Sequence, residues 1–275
     1  MKLTLLLNLT VIILGLSGCT RYAYYQSPFH GNTSTYRTIP LRSDSSKSAF
    51  YVSGAYLGGG ANENDRDGYN GFTWAAYRSH QFGYFDAYYG ITGTLGNYTV
   101  KPYDSLGYYD QYNQNINTAL INKLAGNKFF GGLGAIGGVN FVVPMGRTGE
   151  WRIGVEGNWQ REFGEYLDFR NKLPDTAANL IDRKAGYMTI SFSSDLVFKT
   201  RHGSIGIKMT SVHPMRRETY FDGSRIPSRY TSGYFSQTFH LTVNRITGFW
   251  QVNFGDHIAA SQLGLNFRLG RLKGF

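Results

Sequence analysis

Apolar and polar side chains alternate along several stretches of the chain, as they do on the two faces of a β-strand. In WRIGVEGNWQ, residues 151–160, Trp151, Ile153 and Val155 fall on one face while Arg152 and Glu156 fall on the other. Residues 85–95, 235–244, 246–254 and 262–269 repeat the alternation. The pattern alone leaves two interpretations open, because a soluble sandwich buries the tryptophan face and a membrane barrel turns it toward lipid.

The spacing of these stretches predicts about ten strands. They cover roughly residues 48–61, 70–80, 83–96, 128–143, 150–163, 186–199, 203–212, 233–243, 246–255 and 261–270, of which the first two alternate poorly. Tight links follow strands two, four, six and eight, and longer links follow strands one, three, five and seven. Short turns on one rim and long loops on the other are typical of outer-membrane barrels. We therefore predict an all-β, antiparallel, up-and-down transmembrane β-barrel with short periplasmic turns and long extracellular loops.

The polar faces of these strands carry few charges, which favours a barrel over a soluble sandwich. Charged residues make up 17% of the chain, and the polar faces are mainly Gly, Ser, Thr, Asn and Gln, whereas solvated strand faces usually carry many Lys and Glu. Three acids and three bases are expected to pair across a narrow lumen, because an unpaired buried charge costs several kcal/mol. This predicted lumen charge cluster is Asp86, Arg152, Glu156, Asp195, Lys208 and Arg268. No large aqueous pore is expected in a barrel of this size.

Aromatic residues near strand ends are expected to form girdles at the two membrane interfaces. The candidates are Trp74, Trp151, Trp159, Trp250, Tyr51, Tyr84, Tyr187 and Tyr234. Two long links carry helical patterns. Residues 113–127 space Ile116, Leu120 and Leu124 along one face and end near Gly126, and residues 174–186 begin with Pro174 as helices often do.

The first residues, MKLTLLLNLTVIILGLSGC, have the charged start, apolar middle and small-residue end of a secretory signal. Leu-Ser-Gly-Cys at 16–19 resembles the lipobox of bacterial lipoproteins. The resemblance implies cleavage before Cys19, a diacylglycerol on its sulfur and an acylated new N-terminus. We thus predict a signal peptide at 1–18, a lipidated and partly ordered tether at 19–47, and a barrel domain at 48–275.

The resemblance also indicates where the protein resides. Thr20 follows the cysteine in place of the aspartate that retains many such lipoproteins at the inner membrane, so we expect an outer-membrane location. An even number of strands returns both termini to the periplasm, with Cys19 in the inner leaflet. Without the signal, the chain has 27 basic and 18 acidic side chains, a net charge of +9. A basic protein surface suits the anionic groups of outer-membrane lipid and lipopolysaccharide. The sequence has no Lys/Arg-rich run of the kind that binds nucleic acid. Another envelope protein is a further candidate partner.

No pattern in the sequence identifies an enzyme. The six histidines are scattered without metal-ligand spacing, so no metal and no cofactor is expected. Asp65 and Asp67 in the first long loop, with Asp256 and His257 in the last outward turn, resemble the Asp pair and Asp/His pair of ten-stranded outer-membrane proteases of the omptin family. The omptin pair is Asp-x-His, however, whereas Asp256 and His257 are adjacent.

We expect a non-enzymatic, lipid-anchored outer-membrane barrel that acts through its extracellular loops or as a subunit of an envelope complex. Two alternatives remain at this point. One is a rim protease of omptin-like type. The other is a soluble, lipidated β-sandwich that binds a periplasmic ligand.

Overall fold

The computed structural model describes residues 23–41, 47–62, 66–102, 117–146, 148–215, 218–221, 227–230, 233–255 and 257–269. The predictions for the signal peptide, Cys19, Asp65 and Asp256 lie outside these ranges. Within them, no helix has the length and apolarity needed to cross a membrane.

Ten strands form one closed antiparallel barrel in which each strand pairs with the next along the chain. The strands are β1 (Ser48–Ala61), β2 (Asp67–Phe82), β3 (Phe85–Val100), β4 (Gly126–Met145), β5 (Gly149–Phe163), β6 (Gly186–Thr200), β7 (Gly203–Pro214), β8 (Tyr234–Val243), β9 (Ile246–Gly255) and β10 (Ile258–Leu269). Pairing of β10 with β1, from Ile258 opposite Ala61 to Leu269 opposite Phe50, closes the ring. The predicted up-and-down barrel is confirmed, and a two-layer sandwich is excluded.

The strand faces are inverted relative to those of a soluble protein. On β5, Trp151, Ile153 and Val155 are 38–45% exposed on the outer surface, while Arg152 and Glu156 are 3% and 5% exposed inside. Every strand adds large apolar side chains to the same outer belt, for example Phe50, Phe72, Ile91, Leu133, Trp159, Phe192, Ile205, Phe239, Trp250 and Leu263. An apolar exterior around a polar interior is the arrangement that a lipid solvent requires. The fold is therefore that of a transmembrane β-barrel.

The connections divide the barrel into two different rims. Residues 83–84, 146–148, 201–202 and 244–245 join strands at what we call the short-turn rim, where Gly83 and Gly146 have a φ of +61° and Asn244 one of +54°. Positive φ is the conformation that such tight turns need. The opposite or long-loop rim carries the connections after β1, β3, β5 and β7 and the turn after β9.

One of the two predicted helical loops is confirmed and the other is wrong. Helix α1 (Thr118–Leu124) lies within the predicted 113–127. The second loop instead contains α2 (Glu165–Lys172), which precedes Pro174, then one 3-10 turn and the short strand Leu180–Ile181. The reason is tertiary, because the backbone N–H groups of Leu180 and Asp182 donate to carbonyls of residues 23 and 25 rather than to a helix.

The prediction of the aromatic girdles is only partly correct. Trp151, Trp159, Trp250 and Tyr84 are exposed on the outer face and Trp74 is half-buried, but Tyr51, Tyr187 and Tyr234 are buried inside the barrel. Inside the barrel, the Tyr187 hydroxyl donates to Asp182 and the Tyr234 hydroxyl accepts from the Ser34 N–H at 2.7 Å, while the ring of Tyr51 stacks on that of Tyr77.

Residues 23–41, which the sequence suggested as a tether, lie inside the barrel. Residues 23–40 are all buried. We call residues 23–41 the lumenal segment. Its sequence is rich in Ser, Thr and aromatic residues without any alternation, and it forms only the two-residue strand Tyr24–Tyr25 and the 3-10 turn Pro28–His30.

Candidate functional site

The lumenal segment runs from the long-loop rim to the short-turn rim. At its start, Tyr24 pairs in parallel with Leu180 of the loop after β5, and its ring stacks on His257 in the turn after β9 with centroids 3.5 Å apart. At its end, the carbonyls of Ile39 and Pro40 accept hydrogen bonds from Arg152, three residues into β5 from the short-turn rim. The segment thus crosses the barrel before β1 begins.

Side chains of the barrel wall bind the backbone of this segment. Such bonds matter because an unsatisfied buried carbonyl or N–H group costs about 1–3 kcal/mol. Four amide side chains of the wall donate to backbone carbonyls that follow one another along the segment. The pairs are Asn253 with the Gly31 carbonyl at 2.6 Å, Asn158 with the Thr33 carbonyl at 2.5 Å, Gln251 with the Ser34 carbonyl at 2.8 Å and Asn266 with the Tyr36 carbonyl at 3.4 Å. The Tyr77 hydroxyl accepts from the Thr38 N–H at 2.8 Å. The Asn and Gln residues of the polar faces therefore replace the strand partners that the segment lacks.

An ion pair fixes the middle of the segment to the wall. Arg37 Nη1 lies 2.6 Å from Glu156 Oε2, and both side chains are at most 5% exposed. Ser34 donates to the other carboxylate oxygen at 3.0 Å, and the Tyr88 hydroxyl also donates to Glu156. Glu156 is thus held by one charge and two hydroxyls, as a carboxylate buried at this depth requires.

A second group of charges lies nearer the short-turn rim. Arg152 is 2.9 Å from Glu150 and 3.6 Å from Asp86, while Lys199 reaches Glu150 from the rim at 3.4 Å. The arginine that bonds the carbonyls of residues 39 and 40 is therefore itself held by two carboxylates.

All six residues of the predicted lumen charge cluster are buried in the interior. Arg152 stands opposite Asp195 in the strand ladder, and Asp195 stands opposite Lys208. Asp195 Oδ1 also lies 3.0 Å from His240 Nε2, and Arg268 is 7% exposed. The sequence argument paired these residues only with one another. It missed Arg37, which lies in the predicted tether, and Glu150, which is the first residue of the predicted fifth strand.

Aromatic contacts fill the space between the polar groups. Tyr36 stacks on His240 with centroids 4.3 Å apart and contacts Phe249 at 5.7 Å. Phe29 packs edge-on to Phe130 at 6.1 Å, over Gly132 of β4. A Cβ atom at position 132 would lie 2.3 Å from the Phe29 ring, so only glycine leaves room for it.

The inner faces of β1 and β2 are apolar where they meet the lumenal segment. Ile39 packs in one cluster with Tyr51, Tyr77 and Ala75. This packing explains why the first two strands alternate poorly in the sequence. That weak alternation, together with aromatic residues in a supposed tether, was the only available signal of an occupied lumen.

A buried charge cluster holds the start of the segment at the long-loop rim. We call it the rim clasp: His30, Glu162, Arg170, Asp182 and Tyr187. Asp182 Oδ2 lies 3.1 Å from His30 Nε2 and 3.2 Å from Arg170 Nη1, the Tyr187 hydroxyl donates to Asp182, and Arg170 Nη2 is 2.5 Å from Glu162. Burial acts to raise the pKa of the Asp182 carboxyl, but the hydrogen bond with His30 and the charge of Arg170 outweigh it and leave that pKa below its usual value. Asp182 is therefore ionised at neutral pH.

The two described residues of the protease hypothesis both make structural contacts. Asp67 accepts from Asn62 at 3.0 Å, from Tyr98 at 3.1 Å and from the Lys101 N–H at 2.9 Å. His257 has a φ of +58° and lies beneath the ring of Tyr24. Across the described part of the chain, no three His, Cys, Asp or Glu side chains are grouped so that they could hold a metal ion.

Solved structures with a similar succession of strands are bacterial barrels. The translocator domain of the autotransporter NalP from Neisseria meningitidis aligns at 9% identity and TM-score 0.33, covering 83% of this chain and 91% of that one. The β domain of the Bordetella autotransporter BrkA gives 8% and 0.38, covering 81% and 99%. The Pseudomonas putida toluene transporter TodX gives 8% and 0.34, covering 90% and 97%. These likenesses concern the barrel and carry no argument about function. No protein-family model and no curated protein matches the sequence.

Proposed function

We propose that this chain is a non-enzymatic, lipid-anchored barrel of the bacterial outer membrane, whose lumen is occupied by its own N-terminal segment and whose long loops form its working surface. The observation that carries the proposal is the occupied lumen. Residues 23–40 are buried, and wall amides, Arg152 and Glu156 are all engaged with them. A barrel filled in this way has its two rims left for interaction.

The apolar belt supports the membrane location, and the Leu-Ser-Gly-Cys motif supports the lipid anchor at Cys19. A non-enzymatic role is supported by the structural contacts of Asp67 and His257. The partner class that fits best is another envelope protein or lipopolysaccharide at the long-loop rim.

Metabolic labelling with a clickable palmitate analogue, followed by density-gradient separation of membranes, tests the anchor. We expect label on the wild-type chain in the outer-membrane fraction and none on Cys19→Ala. The barrel belt alone should keep the Cys19→Ala protein in membranes if its export is preserved with a cleavable non-lipoprotein signal. An unlabelled wild-type chain would refute lipidation, and a Cys19→Ala chain that is soluble without detergent would refute a transmembrane barrel.

Ion conductance in planar bilayers tests the closed lumen. The purified wild-type protein should give no stable channel events at voltages where an added general porin conducts. Steady open channels from the wild-type protein would contradict a non-conducting role.

A further inference from the structure

The direction of the lumenal segment determines on which side of the membrane the preceding residues emerge. Tyr24 is at the long-loop rim, since its N–H donates to Asn62 at the end of β1 at 2.8 Å and its ring stacks on His257. At the other end, the Lys47 carbonyl accepts from Gln81 beside the short-turn rim at 2.7 Å. The segment therefore runs downward from the long loops to the start of β1.

From this geometry we infer that the chain is threaded through its own barrel toward the cell surface, so that the acyl chains on Cys19 insert in the outer, surface leaflet of the membrane. This inference rests on the proposed lipid anchor. It replaces the expectation that Cys19 lies in the inner leaflet, which assumed that both ends of the chain leave the barrel on the periplasmic side.

Chain length excludes the inner leaflet. Cys19 precedes Ala23 by four residues, which reach at most about 14 Å when fully extended. The apolar band of an outer-membrane barrel is about 25 Å tall. Four residues starting at the long-loop rim cannot climb out of the barrel and then pass down its whole outer surface.

The near leaflet, by contrast, is within reach. His257, on which Tyr24 stacks, follows the outward-facing Phe254 by three residues, which span at most about 10 Å. Ten strands spaced about 4.8 Å apart and tilted about 40° give a barrel radius of about 10 Å. An acylated cysteine four residues beyond Ala23 can therefore pass over the rim to the lipid on that side.

Hydrogen bonds at the long-loop rim hold the start of the lumenal segment in this direction. Ala23 accepts hydrogen bonds from the N–H groups of Asn179 and Leu180 and donates its own to the Asn179 side chain at 2.9 Å. Further along the segment, His30 contacts Asp182 within the rim clasp. The loop after β5 thus fastens the segment where it leaves the lumen, which gives that loop a specific role.

Cysteine labelling in intact cells tests the threading. Arg21→Cys is placed between Cys19 and the lumen, and Arg201→Cys, in an exposed turn at the short-turn rim, is the matched control. The probe is a PEG-maleimide too large for porin pores, and the readout is a gel shift of the full chain. We expect modification of Arg21→Cys in intact cells, and of Arg201→Cys only after the outer membrane is permeabilised.

Labelling of Arg21→Cys only after permeabilisation, or in neither condition, would overturn the inference. If Arg21→Cys does not assemble, as judged by heat-modifiable mobility, Tyr22→Cys provides the same measurement. The wild-type chain separates the inference from the proposed anchor, because an acylated Cys19 sulfur is blocked. Modification of wild-type Cys19 in intact cells would refute lipidation and still support threading, whereas modification only after permeabilisation would refute both.

Discussion

The ion pair between Arg37 and Glu156 provides the sharpest test of the occupied lumen. Their charged atoms are 2.6 Å apart, and the two side chains are only 2% and 5% exposed. Removing one partner of such a buried pair typically costs about 3–5 kcal/mol, because the other charge is left without compensation. In Arg37→Ala, Glu156 keeps its hydrogen bonds from Ser34 and Tyr88, so we expect a loss near 3 kcal/mol.

The assay is urea unfolding in phospholipid vesicles, followed by tryptophan fluorescence, with Arg37→Ala, Glu156→Ala and the double variant. The double variant should lose clearly less free energy of unfolding than the sum of the single variants, since it leaves neither charge unpaired. Arg183→Ala is the control, because Arg183 also contacts a carboxylate, that of Asp175, at 2.5 Å, but the two side chains are 35% and 75% exposed. An exposed pair of this kind contributes about 0–1 kcal/mol.

A loss in Arg37→Ala no larger than that in Arg183→Ala would refute the reasoning. It would mean that Arg37 is in contact with water and that residues 23–41 do not occupy the lumen. Additive losses in the double variant would likewise show that the two residues are not coupled.

Three further predictions follow from the same contacts. Gly132→Ala should lower the free energy of unfolding in urea by about 1–3 kcal/mol, because the new Cβ overlaps the Phe29 ring. Gly157→Ala is the control and should change little, because its Cβ would meet nothing closer than 4.0 Å. Equal effects of the two substitutions would argue against the packing of Phe29. Deleting residues 23–41 should yield a folded barrel that conducts ions in planar bilayers where the wild-type protein does not, and a closed deletion variant would show that other parts of the chain block the lumen. Asp182→Asn should be less stable than the wild type at neutral pH, and this difference in free energy of unfolding should shrink below about pH 3.9, the usual pKa of an aspartate. The reason is that a carboxyl whose pKa is lowered in the folded state stabilises the fold above its unfolded pKa and loses that contribution as the pH falls through the folded pKa. A stability difference that is independent of pH from 3 to 7 would contradict the role given to the Asp182 charge.

Because the lumen is occupied, the polar side chains of the strands bind the lumenal segment instead of lining a water-filled pore. In an open pore, Asn158, Gln251 and Asn253 would line water. Here they donate to carbonyls of the lumenal segment, so the wall recognises a particular piece of backbone. Side chains of the segment add selectivity, because Arg37 and Tyr36 each meet a complementary partner in Glu156 and His240.

The sequence by itself determined the strands and the barrel. Alternation with period two marks a strand with two unlike environments, and the alternation of short and long links closes an up-and-down ring, so both features can be read locally. The small number of charges on the polar faces also indicated that these faces point into the barrel and the apolar faces point outward, as the structure of β5 confirms. The same local logic placed Asp86, Arg152, Glu156, Asp195, Lys208 and Arg268 in the interior.

Only the tertiary structure decided what fills that interior. The lumenal segment forms almost no regular secondary structure, so it has no period to detect. Many of its partners also lie more than a hundred residues away in the chain, as Gln251 does from Ser34. A wall amide that bonds a carbonyl and one that bonds water look alike in a sequence. The direction of the lumenal segment, from the long-loop rim to the short-turn rim, follows from contacts between distant parts of the chain and from no local pattern.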